Sequence, residues 1–104
     1  MKIVKVTYTT QSHYVEQNQT NIKKVMTELA ALSHPGLFYH ACLSPDGKTF
    51  IHTAFFKSDE DNQVLLSLES FKQFQEQLKA SGPEVPPKQE TLTLVGSSSP
   101  FFNS

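Results

Sequence analysis

The sequence predicts an α+β fold in which strands and helices follow one another as β-α-β-β-α-β. Three observations carry this. The opening segment Ile3–Thr10 is β-branched and alternates along its length. Apolar residues then recur at helical spacing up to Leu32. Two strand-like segments, Leu37–Leu43 and Thr49–Phe56, are joined by the turn tetrapeptide Ser44-Pro45-Asp46-Gly47.

In the first strand, Val4, Val6 and Tyr8 face one way and Lys5, Thr7 and Thr9 the other, the period of two that a half-buried strand requires. Ser12 offers an N-cap and Glu16 places negative charge in the first helical turn. Ile22, Val25, Leu29 and Leu32 form an apolar stripe, Lys23, Lys24 and Glu28 take the wet side, and Pro35-Gly36 ends the helix. In the hairpin turn each residue has its favoured role. Ser58 followed by Asp59, Glu60 and Asp61 reads as a capped helix start, carrying Val64, Leu65 and Leu68. Ser70 and Gln73 have capping-box spacing and start a second piece with Phe71, Phe74 and Leu78 on one face, closed by Gly82-Pro83. Pro86-Pro87 reads as an extended connector, Thr91–Val95 as the last strand, and residues 96–104 as a tail after a single domain over 1–95. This order is the ferredoxin-like plan: a four-stranded antiparallel sheet with its helices on one face.

The hairpin also implies what lies on the other face. Phe55 and Phe56 are adjacent, so one points to each side whatever the register, and Phe38 and Tyr39 do the same. A sheet with one wet face is polar on that face. This one is aromatic on both, and a second copy of the sheet is the simplest cover, which makes a homodimer the expected partner. For Phe101-Phe102 in the tail two expectations stand side by side: docking on a partner subunit or over a cavity mouth, or a tail without fixed structure.

Composition excludes several functions. The 104 residues carry a net charge of −1, and all nine basic residues are lysine. Without arginine there is no planar fork for bases or phosphates, so nucleic acid is not an expected partner. No segment approaches the roughly 18 apolar residues of a membrane span, and no signal-like apolar run opens the chain. The lone Cys42 forms no internal disulfide and reads as a small buried hydrophobe. The expected location is cytoplasmic.

The phrases "HPGLFYHACLS", "FIHTAFFKSDED" and "SLESFKQF" resemble those of the dimeric α/β-barrel superfamily and, within it, the antibiotic-biosynthesis-monooxygenase-like domains, over about Ile3 to Val95. The resemblance implies two sheets pairing into a dimeric α/β barrel. It also implies a chemistry without cofactors, in which an activated phenol or enol loses its proton and the electron-rich anion reduces O₂ directly. The sequence departs from the pattern at known positions. Phe56 stands in the place of the family's tryptophan and Ala54 in that of its glutamate; the first strand has no asparagine, and no histidine follows His52. Those departures argue against haem degradation, and they leave a non-catalytic small-molecule-binding or structural dimer as the alternative to a cofactor-independent monooxygenase.

Such chemistry needs a dry pocket, a base and donors for the developing oxyanion. His52 is the expected base, because strand alternation puts it on one face with Phe50, Ala54 and Phe56. His40 is the second catalytic candidate. An odd pairing sum in the hairpin places it on the opposite face from His52, an even one on the same face. Phe50, Phe56, Tyr39, Phe71 and Phe74 are the expected lining of a site for a small apolar or aromatic ligand. His13 and His34 read as solvated. No metal site is expected, since His40 and His52 lack a third ligand at familiar spacing.

Overall fold

The computed structural model describes residues 1–100. Strand β1 (Lys2–Thr9) leads through a 3₁₀ turn at Ser12–Tyr14 into helix α1 (Val15–Leu32). The hairpin β2 (Leu37–Leu43) and β3 (Thr49–Phe56) follows, then α2 (Asp59–Ser67), α3 (Glu69–Ser81) and β4 (Val85–Leu92). The strands form one antiparallel sheet in the order β2-β3-β1-β4. This is the ferredoxin-like arrangement that the sequence predicts.

Pairing register fixes what each face carries. Val6 and Ala41 both lie opposite His52, so these three share a face, together with Tyr8, Tyr39, Phe50, Ala54 and Phe56. That face packs on Ile22 and Val25 of α1, Leu65 of α2 and Phe71, Phe74 and Leu78 of α3 to make the core. Burial of large apolar side chains of this kind contributes about 1.5–3 kcal/mol each. The opposite face carries Phe38, His40, Cys42, Ile51, Thr53 and Phe55. There Phe38 and Phe55 are 5.6 Å apart between ring centroids, and His40 stacks on Phe55 at 5.9 Å. The hairpin sum is odd, since His40 pairs with Thr53.

Several local expectations change. Pro86 and Pro87 lie within β4, which begins at Val85 and stops at Leu92. A proline pair fits there because β4 is an edge strand and its register shifts between Thr7 and Thr9 of β1, where ladder donors are not required. The α3 helix starts at Glu69 without a side-chain cap, and the Ser70 hydroxyl donates instead to Glu28 of α1 at 2.9 Å. Ser12 sits in the 3₁₀ turn and caps nothing. Cys42 is exposed, because the odd register turns it away from the core. Beyond Leu92 the described residues add no strand; Phe101 and Phe102 lie outside the described residues.

The Ser58 cap holds as a full capping box: its side chain meets the Asp61 backbone, and the Asp61 carboxylate accepts from the Ser58 backbone N–H at 2.8 Å. The other Asp61 oxygen meets His34 Nε2 at 2.6 Å, so His34 is half-buried in a contact that joins the start of β2 to the start of α2 rather than solvated. Gly36 is buried beneath this carboxylate, and a Cβ there would overlap it. Because Asp61 is held from both sides, it has no room to yield. Gly36→Ala is expected to destabilise the fold by about 1–3 kcal/mol, the range for overpacking, read as a lower urea midpoint with unchanged slope.

Candidate functional site

The core face of the sheet contains one polar island. β3 places His52 at its centre, β1 brings Tyr8 from one side, β2 brings Tyr39 from the other, and α1 lays Asn18 over Tyr8. The Tyr8 hydroxyl lies 2.7 Å from His52 Nε2, and the Tyr39 hydroxyl lies 2.7 Å from His52 Nδ1. Asn18 Nδ2 donates to the Tyr8 hydroxyl at 2.8 Å. His52 is 4% exposed, Tyr8 1% and Asn18 0%. Aromatic rings wall the island: Phe50 stacks on Tyr8 at 5.5 Å, Phe74 lies 5.4 Å from the His52 ring, and Phe71 meets Tyr39 edge-on at 6.2 Å.

Burial decides the charge state. Loss of hydration, with a smaller repulsion from His40, lowers the His52 pKa from 6.5 to about 4. The imidazole is therefore neutral near pH 7 and has one N–H and one bare nitrogen. Burial also raises both tyrosines well above the ordinary phenol value; for Tyr8 the Asn18 hydrogen bond opposes the rise, and for Tyr39 the neighbouring Tyr8 adds to it.

An apolar cavity of about 360 Å³ opens over this island. Val6, Tyr8, Tyr39, His52, Phe71 and Phe74 line it, and Pro83, Pro86 and Pro87 form an outer wall with Leu78. Gln75 and Lys79 are its polar and charged contributions. A second pocket of about 250 Å³ shares Val6, Tyr39, His52 and Phe71 and continues to Ala54, Phe56 and Leu65.

The expected residues divide accordingly. Tyr39, His52, Phe71 and Phe74 meet at the main cavity, and Phe56 lines its neighbour. Phe50 lies behind Tyr8 and borders a different groove, beside Ile22 and Met26. His40 is on the other face of the sheet, where it stacks on Phe55 and meets no part of the cavity. His52 does not present a free nitrogen to the cavity, because tyrosine hydroxyls occupy both.

Tyr8, Asn18 and the proline wall have no place among the residues expected from sequence. For Asn18 a signal exists. It lies four residues before Ile22 on the buried stripe of α1, and an amide at such a position requires a buried partner. Among the described residues, no group of three or more His, Cys, Asp or Glu side chains is placed to hold a metal ion. No helix of the described residues is long and apolar enough to cross a membrane.

No family model and no curated protein matches this chain. Solved structures do. One described as an antibiotic biosynthesis monooxygenase aligns with a TM-score of 0.73 at 9% identity, covering 92% of this chain and 100% of the other. Rv0793 from Mycobacterium tuberculosis aligns at 0.77 and 13% identity, covering 94% and 98%. A variant of SnoaB, a cofactor-independent oxygenase from Streptomyces nogalater, aligns at 0.67 and 12%, covering 93% and 96%. The fold is that of the antibiotic biosynthesis monooxygenase domains. Identities this low establish the monooxygenase-like backbone and leave the chemistry to the side chains.

The depressed His52 pKa has a consequence for stability. Histidine in the unfolded chain takes its proton near 6.5, but folded His52 only near 4. Between these values the unfolded chain binds more protons. The stabilisation is complete above about pH 6.5 and is lost as pH falls toward 4, by about 3 kcal/mol in all. Urea midpoints of the wild type are expected to drop through this window, and those of His52→Gln to stay flatter. Parallel curves for the two proteins would show that His52 is not the group responsible.

Proposed function

We propose that this chain pairs through the sheet face opposite its helices into a homodimeric barrel. It binds a small apolar or aromatic molecule in the cavity over His52, and acts there as a cofactor-independent monooxygenase on a phenol or enol. The observation that carries this reading is the cavity itself: about 360 Å³ of mostly apolar space with a buried neutral imidazole between two tyrosine hydroxyls. The backbone likeness to a cofactor-independent oxygenase supports it.

In this proposal the substrate is acidic enough to react as its anion, and the anion gives electrons to O₂. One oxygen atom enters the ring as a carbonyl, and the other leaves as water with two hydrogens from the substrate. His52 is a weak base with both nitrogens bonded, so its part is to hold Tyr39 against the substrate oxygen. Tyr39 supplies the hydroxyl, and Phe71, Phe74 and Phe56 supply the apolar walls. His40 takes no part in the chemistry; with Phe38, Phe55 and Cys42 it belongs to the face that pairs the two sheets.

A second reading, binding without turnover, has its own support. The chain contains neither tryptophan nor arginine, and Ala54 and Phe56 replace the acid and the indole that the sequence resemblance places there.

Oxygen-electrode traces with a panel of naphthols and hydroxyanthrones separate the two. Turnover is expected in the wild type and a loss of 10²-fold or more in Phe74→Trp, which fills the cavity; saturable binding with no oxygen uptake would establish the second reading. Sedimentation at micromolar concentration is expected to give a dimer, and a monomer would remove the barrel.

A further inference from the structure

The polar island has a direction, and its hydrogen count determines it. Asn18 Nδ2 can only donate, so the Tyr8 oxygen accepts from it. The second Tyr8 contact is His52 Nε2. If Nε2 carried the imidazole proton, Tyr8 would accept twice. Its own hydrogen would then be buried without an acceptor, in a residue that is 1% exposed. With Nε2 bare, Tyr8 donates to it, and the imidazole proton sits on Nδ1 and is donated to the Tyr39 oxygen. The one hydrogen left over then belongs to Tyr39, which is half-buried and lines the cavity.

Turning the Asn18 amide over reverses the chain but makes the burial worse. In the orientation described, Asn18 Oδ1 is the buried atom without a partner. In the reversed one that oxygen would accept from Tyr8, and the buried N–H that meets the Tyr8 oxygen here would lose that acceptor. Buried N–H groups without partners are rarer than under-satisfied carbonyls.

We propose that the network runs one way, from the Asn18 amide through the Tyr8 hydroxyl and the His52 ring to Tyr39, so that Tyr39 offers its hydroxyl proton to a phenolate, enolate or carbonyl oxygen in the cavity. Asn18 is the positioning residue that sets this direction. The ligand half of the inference rests on the cavity being the small-molecule site proposed above; the direction of the network does not.

The direction is read without any ligand. In protein labelled with nitrogen-15 histidine, long-range proton–nitrogen correlation at pH 7 is expected to show His52 with Nδ1 protonated and Nε2 bare. An Nε2–H tautomer would overturn the direction. Asn18→Asp puts an acceptor where Tyr8 meets a donor, so that Tyr8 donates to it and accepts from the ring, and this variant is expected to bring in the Nε2–H form; an unchanged tautomer in a folded Asn18→Asp protein would remove Asn18 as the positioning residue. Should that variant not fold, Tyr39→Phe, which leaves Asn18, Tyr8 and Nε2 in place, is expected to keep Nε2 bare, and an Nε2–H form there counts equally against the inference. The ligand half is read with 4-nitrophenolate as the probe. Tyr39→Phe is expected to weaken its binding about tenfold or more, as loss of a hydrogen bond to a charged oxygen does. Equal affinity would exclude Tyr39 as the donor. A wild-type protein that does not bind the probe would defeat the cavity reading, whichever tautomer is found.

Discussion

An imidazole removed from water and bonded at both nitrogens by phenols constrains much of this molecule. Burial of polar groups is tolerated only when their hydrogen bonds are made, and His52 has few ways to make its own. Tyr8 must come from β1, Tyr39 from β2 and the ring itself from β3, so three adjacent strands are tied to one register. A slip of one residue in either pairing would turn a tyrosine to the opposite face and leave a ring nitrogen unbonded in the core. The island therefore specifies the sheet as well as occupying it.

The same island keeps the cavity polar at one point and apolar elsewhere. Phe71 and Phe74 of α3 close over the ring from the helix side, while Pro83, Pro86 and Pro87 make a stiff outer wall between α3 and the edge strand. Rigid walls and fully bonded donors are what pre-organisation means at a site where charge develops, because little has to move when a substrate oxygen becomes negative. The helices are tied together away from the cavity by separate polar contacts. Asn21 of α1 donates to Gln77 of α3 at 2.8 Å, and Ser70 donates to Glu28.

Much of this was legible in the sequence because the physics that decides it is local. The turn Ser44–Gly47 and the alternation of β1 and β3 determine the hairpin and its faces, and parity alone puts His52 with Phe56. The odd register that removes His40 from the cavity and exposes Cys42 is a property of the turn as folded, which composition does not settle. Tyr8 was visible as a core residue but not as a partner of a histidine 44 positions away. Asn18 stands on an apolar stripe, and nothing in the local pattern shows that the chain folds back to set its amide on the Tyr8 hydroxyl of the preceding strand. The bounds of β4 are not legible because a proline pair argues against a strand in general, yet it is compatible with an edge strand at a register shift.

If the island is one cooperative unit, its two phenols should feel each other through the ring they share. A double-mutant cycle with Tyr8→Phe and Tyr39→Phe, measured by urea unfolding at pH 7, tests this most directly. Non-additive losses are expected, with a coupling energy of about 0.5–3 kcal/mol. Additive losses, within about 0.3–0.5 kcal/mol, would contradict such coupling: the two hydroxyls would then be independent contacts of a core histidine.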